Sequence, residues 1–146
     1  MRDRAESPVA PTDVLYVDSD ADFAQLVERS LTRLDPTVSV THVESVAAAF
    51  AAVAGDDRVT DTDGRPRTDD PAVDCVVSAY TLRQTDAVGF LEEFRRTYAN
   101  LPFVLFTGAG SEAVASDAIA AGVSAYVPVR AGENNFELLA QRIWTV

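Results

Sequence analysis

The chain contains no lysine: all twelve basic residues are arginine, set against 23 acidic ones for a formal charge of −11. That balance argues against a polyanion-binding surface, since nucleic-acid recognition draws its affinity from neutralising phosphates. A single cysteine, Cys75, leaves no intramolecular disulfide, and its place in an apolar run reads as a small buried hydrophobe rather than a reactive thiol. A single histidine, His42, lacks the partners that a metal site needs. No apolar run approaches the roughly 20 residues of a membrane span. The opening Met1-Arg2-Asp3-Arg4-Ala5-Glu6 leads into no apolar signal core. The expectation is a soluble, cytoplasmic protein that contacts neither nucleic acid nor membrane.

What is present is an ordinary amount of core-forming material, with 47% hydrophobic residues in 146, enough for one domain. Short apolar runs alternate with amphipathic stretches, the pattern of a parallel sheet covered on both faces. Strands are expected near Val14–Val17, Val38–Thr41, Cys75–Ser78, Phe103–Phe106 and Ala125–Val127. The first helix shows Phe23, Leu26, Val27, Ser30, Leu31 and Leu34 at helical spacing, with Asp20 or Ser19 suited to cap it. Further helices are expected over Ser45–Ala54, Ala87–Tyr98, Glu112–Ala120 (with Val114, Ala118 and Ile119) and Asn134–Trp144 (with Phe136, Leu139, Ala140 and Ile143). Each stripe reads as a core face. The fold class is therefore α/β, a doubly wound five-stranded parallel sheet. Residues 1–12 mix charge and proline and read as a mobile N-terminal tail, leaving 13–146 as the domain. Within it, 55–71 is an acidic loop insertion with six aspartates and two prolines.

Four segments carry a more specific signal. Val14-Leu15-Tyr16-Val17-Asp18-Ser19-Asp20 ends a strand in an acidic cluster, and Asp74-Cys75-Val76-Val77-Ser78-Ala79-Tyr80 ends one at a small residue. Phe103-Val104-Leu105-Phe106-Thr107-Gly108 ends one in threonine, and Ala121-Gly122-Val123-Ser124-Ala125-Tyr126-Val127-Pro128-Val129 passes from helix to strand. In this order and at these intervals the chain, from about Asp13 to Ile143, resembles the receiver domains of two-component response regulators. The resemblance implies the CheY-like, (βα)5 flavodoxin-like fold.

The chemistry implied by the resemblance fails residue by residue. An active receiver holds Mg²⁺ between two adjacent carboxylates and a phosphoacceptor aspartate, with a lysine completing the site. Here the matching positions are Asp18, Ser19, Ala79 and Val129, and the loop Leu82-Arg83-Gln84-Thr85-Asp86-Ala87 keeps little of the family's usual turn. Phosphoryl transfer rests on positioning and charge neutralisation, so joint loss of nucleophile, metal ligands and lysine removes the reaction. The chain reads as a degenerate pseudo-receiver with no catalytic residue, no metal and no cofactor. Asp18 and Asp20 offer no nucleophile or base for another Mg²⁺-dependent reaction, and Ser78 should point away from the pocket. The switch residues match, as Thr107 and Tyr126, so a two-state face can persist and be biased by a partner. The expected function is a stand-alone receiver-like module of two-component or phosphorelay type. It would act by binding a protein: a histidine kinase, a regulator, or another copy of itself as a homodimer. The alternative is a small-molecule sensor using the emptied pocket at the C-terminal ends of the strands. Abundant Asp, Ala, Val and Thr without Lys resembles proteins of halophilic archaea, for which low salt should destabilise the fold.

Overall fold

A computed structural model describes residues 12–55, 71–83, 85–108, 112–129 and 135–146. Strand β1 (Thr12–Val17), helix α1 (Ala21–Leu34), β2 (Val38–Val43), α2 (Val46–Ala54) and β3 (Cys75–Ser78) form the first half. The second half is α3 (Ala87–Thr97), β4 (Phe103–Thr107), α4 (Glu112–Ala121), β5 (Ala125–Pro128) and α5 (Asn135–Thr145). The strands pair in parallel in the order β2-β1-β3-β4-β5. This is the doubly wound (βα)5 arrangement, in which every strand points its C-terminal end to one rim.

Side-chain alternation along the strands assigns the two faces. Val14, Tyr16, Cys75, Val77, Val104, Phe106 and Val127 face Ala24, Val27 and Leu31 of α1 and Leu139 and Ile143 of α5. Leu15, Val17, Val76 and Phe103 face Ala49 and Val53 of α2 and Phe90, Leu91 and Phe94 of α3. Under α4, Leu105 meets Ala87 and Ala118. The α2/α3 face is the aromatic one, with Phe90, Phe94 and Phe103 at ring centroid separations of 5.3 to 5.7 Å. Such edge and tilted contacts add to burial.

Helix starts follow short polar side chains. Asp20, Ser45 and Asp86 each accept a hydrogen bond from a first-turn backbone N–H of the helix that follows. After α4 the chain turns at Gly122, whose φ of +98° suits glycine. The Arg95 guanidinium sits over this turn, donating to the carbonyls of Gly122, Tyr98 and Leu101 and so tying the ends of α3 and α4 together.

Three expectations need correction. Leu26 and Leu34 do not join the core face of α1, being 44% exposed each, and Ile119 on α4 is 69% exposed. At about 100° per residue, Ala24, Val27 and Leu31 lie within about 60° of one another, while Leu26 lies about 130° from their centre. Strand β1 also begins at Thr12, whose N–H donates to the Thr37 carbonyl, so the expected tail ended one residue late. Residues 1–11, and 56–70 of the acidic insertion, lie outside the described residues. No described helix is long and apolar enough to cross a membrane.

Candidate functional site

At the rim, β1 delivers Asp18 into a nearly closed setting, with 5% of its surface exposed. Residues two apart on a strand project to the same side, which brings the Tyr16 hydroxyl to Asp18. The phenol donates to Asp18 Oδ2 at 2.7 Å, and the Asp20 backbone N–H donates to Asp18 Oδ1 at 2.9 Å. From the neighbouring strand, His42 Nε2 lies 2.8 Å from the Asp18 carbonyl oxygen. A carbonyl only accepts, so Nε2 carries the hydrogen. Burial pushes the Tyr16 phenol far above its ordinary value, and the hydrogen bond to Asp18 and the charges of Asp18 and Asp20 push it the same way. It is therefore a permanent donor.

Two other carboxylates at this rim cap helices. Asp20 Oδ1 accepts from Phe23 N at 3.1 Å, and Asp86 Oδ1 accepts from Gly89 N at 2.9 Å, each capping its helix. Asp86 Oδ2 takes the Tyr80 hydroxyl at 3.3 Å, and the Asp86 charge raises the Tyr80 phenol above its usual range. The β3–α3 connection closes on itself, with Ala87 N donating to Tyr80 O at 2.7 Å and Leu82 N to Thr85 O at 3.1 Å. Its ion pair, Arg83 to Glu44 at 3.0 Å, is exposed and contributes little.

Asp18, Ser19, Ala79, Thr107 and Val129 come together around one cleft of about 390 Å³, with Phe23, Tyr80 and Phe106 supplying apolar wall. Thr107 is buried, and its carbonyl accepts from Val129 N at 2.8 Å, which holds Val129 in the cleft lining. Tyr126 does not reach this cleft. It packs with Val114 and Val123 against the Leu105–Ala118 cluster beneath α4. Ser78 is buried outside the lining and turns its hydroxyl to the Ala79 carbonyl at 2.8 Å. Sequence reasoning missed Tyr16 and His42 as members of the site. The signal for Tyr16 was present, since it stands two residues before Asp18 on a strand.

Magnesium requires near-octahedral oxygen ligation. The residues here do not fit it: Asp18 has both oxygens engaged by protein donors, Ser19 is neutral, and Ala79 offers a methyl group. Among the described residues no group of three or more His, Cys, Asp or Glu side chains could hold a metal ion. A phosphoryl group would meet neither a nucleophile at position 79 nor a lysine at 129.

The solved structures that resemble this chain agree on its architecture. A two-component response regulator from Clostridium difficile superposes with a TM-score of 0.70 at 16% identity, covering 92% of this chain and 93% of that one. The chemotaxis protein CheY4 of Vibrio cholerae gives 0.69 at 18% identity, covering 94% and 99%. The chain has the fold of a receiver domain. The signal receiver domain of an HD domain-containing protein from Pseudomonas fluorescens shares that fold at 22% identity, with a TM-score of 0.68 over 90% of this chain and 92% of that one. No family model matches the sequence. One curated relative does: the bacterioopsin transcriptional activator of Halobacterium salinarum is 39% identical over 79 residues, which is 54% of this chain. The match spans only 12% of that protein's length.

Proposed function

We propose that this receiver-fold domain is a signalling module that works without phosphorylation, by binding another protein. The observation that carries this reading is the state of the rim: Ala79 occupies the end of β3, and Asp18, Asp20 and Asp86 are each bound to donors within the domain. A cleft so arranged offers no carboxylate nucleophile at position 79 and lacks the adjacent carboxylate pair that would hold Mg²⁺, while the five strands and five helices of the fold are present. Thr107 and Tyr126 remain at the β4 and β5 side, where a partner that distinguishes two arrangements of α4 and β5 would bias them by differential affinity. The partner is a histidine kinase, a regulator or a second copy of this chain. The Halobacterium relative, a transcriptional activator, supports a regulatory setting reached through protein contacts, since a charge of −11 disfavours direct contact with DNA. The acidic, lysine-free composition supports a halophilic source and a cytoplasmic site of action. A ligand-sensing role for the cleft ranks behind this, because its wall of Phe23, Phe106 and Val129 selects no particular ligand.

The test is intact-mass analysis after incubation with acetyl phosphate and Mg²⁺ in molar KCl, beside sedimentation equilibrium of the same sample. No phosphoryl adduct is expected, and association should be unchanged by the phosphodonor. A stoichiometric acid-stable or acid-labile adduct would overturn the reading.

A further inference from the structure

Asp18 is the one buried acid among the described residues. A carboxylate withdrawn from water needs donors or a counter-charge, and a rim where Asp18, Ser19, Asp20 and Ala79 line one cleft is where a hard divalent cation would ordinarily supply it. Neutral donors do so instead. The Tyr16 hydroxyl reaches Oδ2 at 2.7 Å, the shortest side-chain contact of the cluster, and Asp20 N–H reaches Oδ1 at 2.9 Å. Tyr16 itself has no exposed surface, its ring being fixed in the α1/α5 core and lying 6.2 Å from the His42 ring. His42 in turn holds the Asp18 carbonyl, so both ends of this residue are braced from the sheet.

We propose that Tyr16 takes the place of a counter-cation at Asp18: its hydroxyl orients the carboxylate and closes the rim to divalent cations, so the cleft keeps one arrangement whatever the Mg²⁺ concentration. This rests on reading the cleft as phosphorylation-independent, and it names the residue that enforces that state. A purely structural hydroxyl predicts the opposite sign, because loosening a ligand cluster lowers its affinity for a cation, whereas removal of a competitor raises it.

The experiment adds acids at the two lining positions and compares Tyr16 with phenylalanine. The Ser19→Asp/Ala79→Asp protein and the same protein carrying Tyr16→Phe are titrated with Mn²⁺ in molar KCl, following the electron paramagnetic resonance of free Mn²⁺. The phenylalanine form should bind at least about tenfold more tightly, the gain expected when a charge-assisted hydrogen bond no longer competes. Equal or weaker binding overturns the proposal, as does absence of binding in both proteins when both unfold cooperatively. Should the triple variant not fold, Tyr16→Phe alone decides: its thermal midpoint must rise with millimolar Mn²⁺ while that of the unaltered chain stays fixed, and a shared response or none overturns the idea. Either result leaves the phosphodonor test on the unaltered chain standing by itself.

Discussion

The β1/β3 half of the rim and the β4/β5 half are held by different forces. On the first, the buried Asp18 carboxyl accepts from the Tyr16 hydroxyl and the Asp20 N–H, and His42 braces its backbone carbonyl. On the second, Thr107 is buried at a strand end and Tyr126 packs on Leu105, Ala118 and their neighbours, a contact of surfaces rather than of charges. The positions that would carry a receiver's chemistry lie in the charged half, and there Asp18 is held by internal hydrogen bonds. The packing that shapes the α4–β5 surface sits in the other half and does not depend on those groups. The α4–β5 surface is thus built independently of the charged half, which is what the proposed phosphorylation-independent role requires.

The comparison breaks most readily at Tyr16. Tyr16→Ala leaves a cavity beneath β1 and an under-satisfied buried carboxylate, and should cost about 3–5 kcal/mol. Tyr16→Phe keeps the ring and should cost about 1–3 kcal/mol, the penalty for a charged acceptor losing its donor. Tyr126→Ala removes a half-buried ring from the packed half and should cost less than Tyr16→Ala. Denaturant unfolding in molar KCl measures all three. If Tyr126→Ala matched Tyr16→Ala, the two halves would not differ as described.

Alkaline pH gives the next effect. Burial, and then the Asp74 charge, push the Cys75 thiol up to about 12 from an ordinary value near 9.0. Tyr16 is raised as well, chiefly by burial. A folded-state value above the unfolded one means that the unfolded chain releases its proton first. The stability from a protonated Cys75 is thus complete below about pH 9 and is lost progressively as pH climbs from 9 towards 12. Unfolding midpoints at pH 8 and pH 11 should differ clearly, and Cys75→Val should reduce the difference.

Much of this was legible from the residues. The five strands and the cap on α1, expected at Asp20 or Ser19 and found at Asp20, follow from period-2 and period-3.6 patterns and short polar side chains, while the gathering of Asp18, Ser19, Ala79, Thr107 and Val129 at one rim was implied by the resemblance to receiver domains. The exposure of Leu26, Leu34 and Ile119 did not follow. A helical stripe shows which residues share a side, but how much of its width is covered depends on the neighbouring helices. The second duty of Asp86, as partner of Tyr80, was hidden because the β3–α3 connection folds back on itself. The brace from His42 was hidden because it crosses from β2 to the end of β1, 24 residues away in sequence.

Salt should act more weakly than either buried group, and across the whole surface. The charge of −11 is spread along the chain, and repulsion between surface carboxylates is screened over about 3 Å in molar salt and about 10 Å at 0.1 M. Transfer from molar to 0.1 M KCl should lower stability by about 1 kcal/mol, roughly 4 °C in the thermal midpoint. The Tyr16→Phe penalty should hardly change across that range, because a buried contact is screened far less than a surface one. A penalty that grew or shrank with salt would place Asp18 in contact with solvent.

The smallest effect belongs to Ile119, on the packed side of the comparison. Its neighbour Ala118 is fully buried against Leu105 and Ala87, but Ile119 is 69% exposed, so its side chain is hydrated almost alike in the folded and unfolded chain. Ile119→Ser should therefore move stability by no more than about 0.5 kcal/mol. The same substitution separates folding from association. If α4 forms part of the surface that meets another copy of this chain, Ile119→Ser should weaken self-association in sedimentation equilibrium while the unfolding midpoint of the dilute protein stays where it was. A clear fall in that midpoint at low concentration would instead mean that Ile119 is covered within a single chain, and that the packed half extends further over α4 than the described residues show.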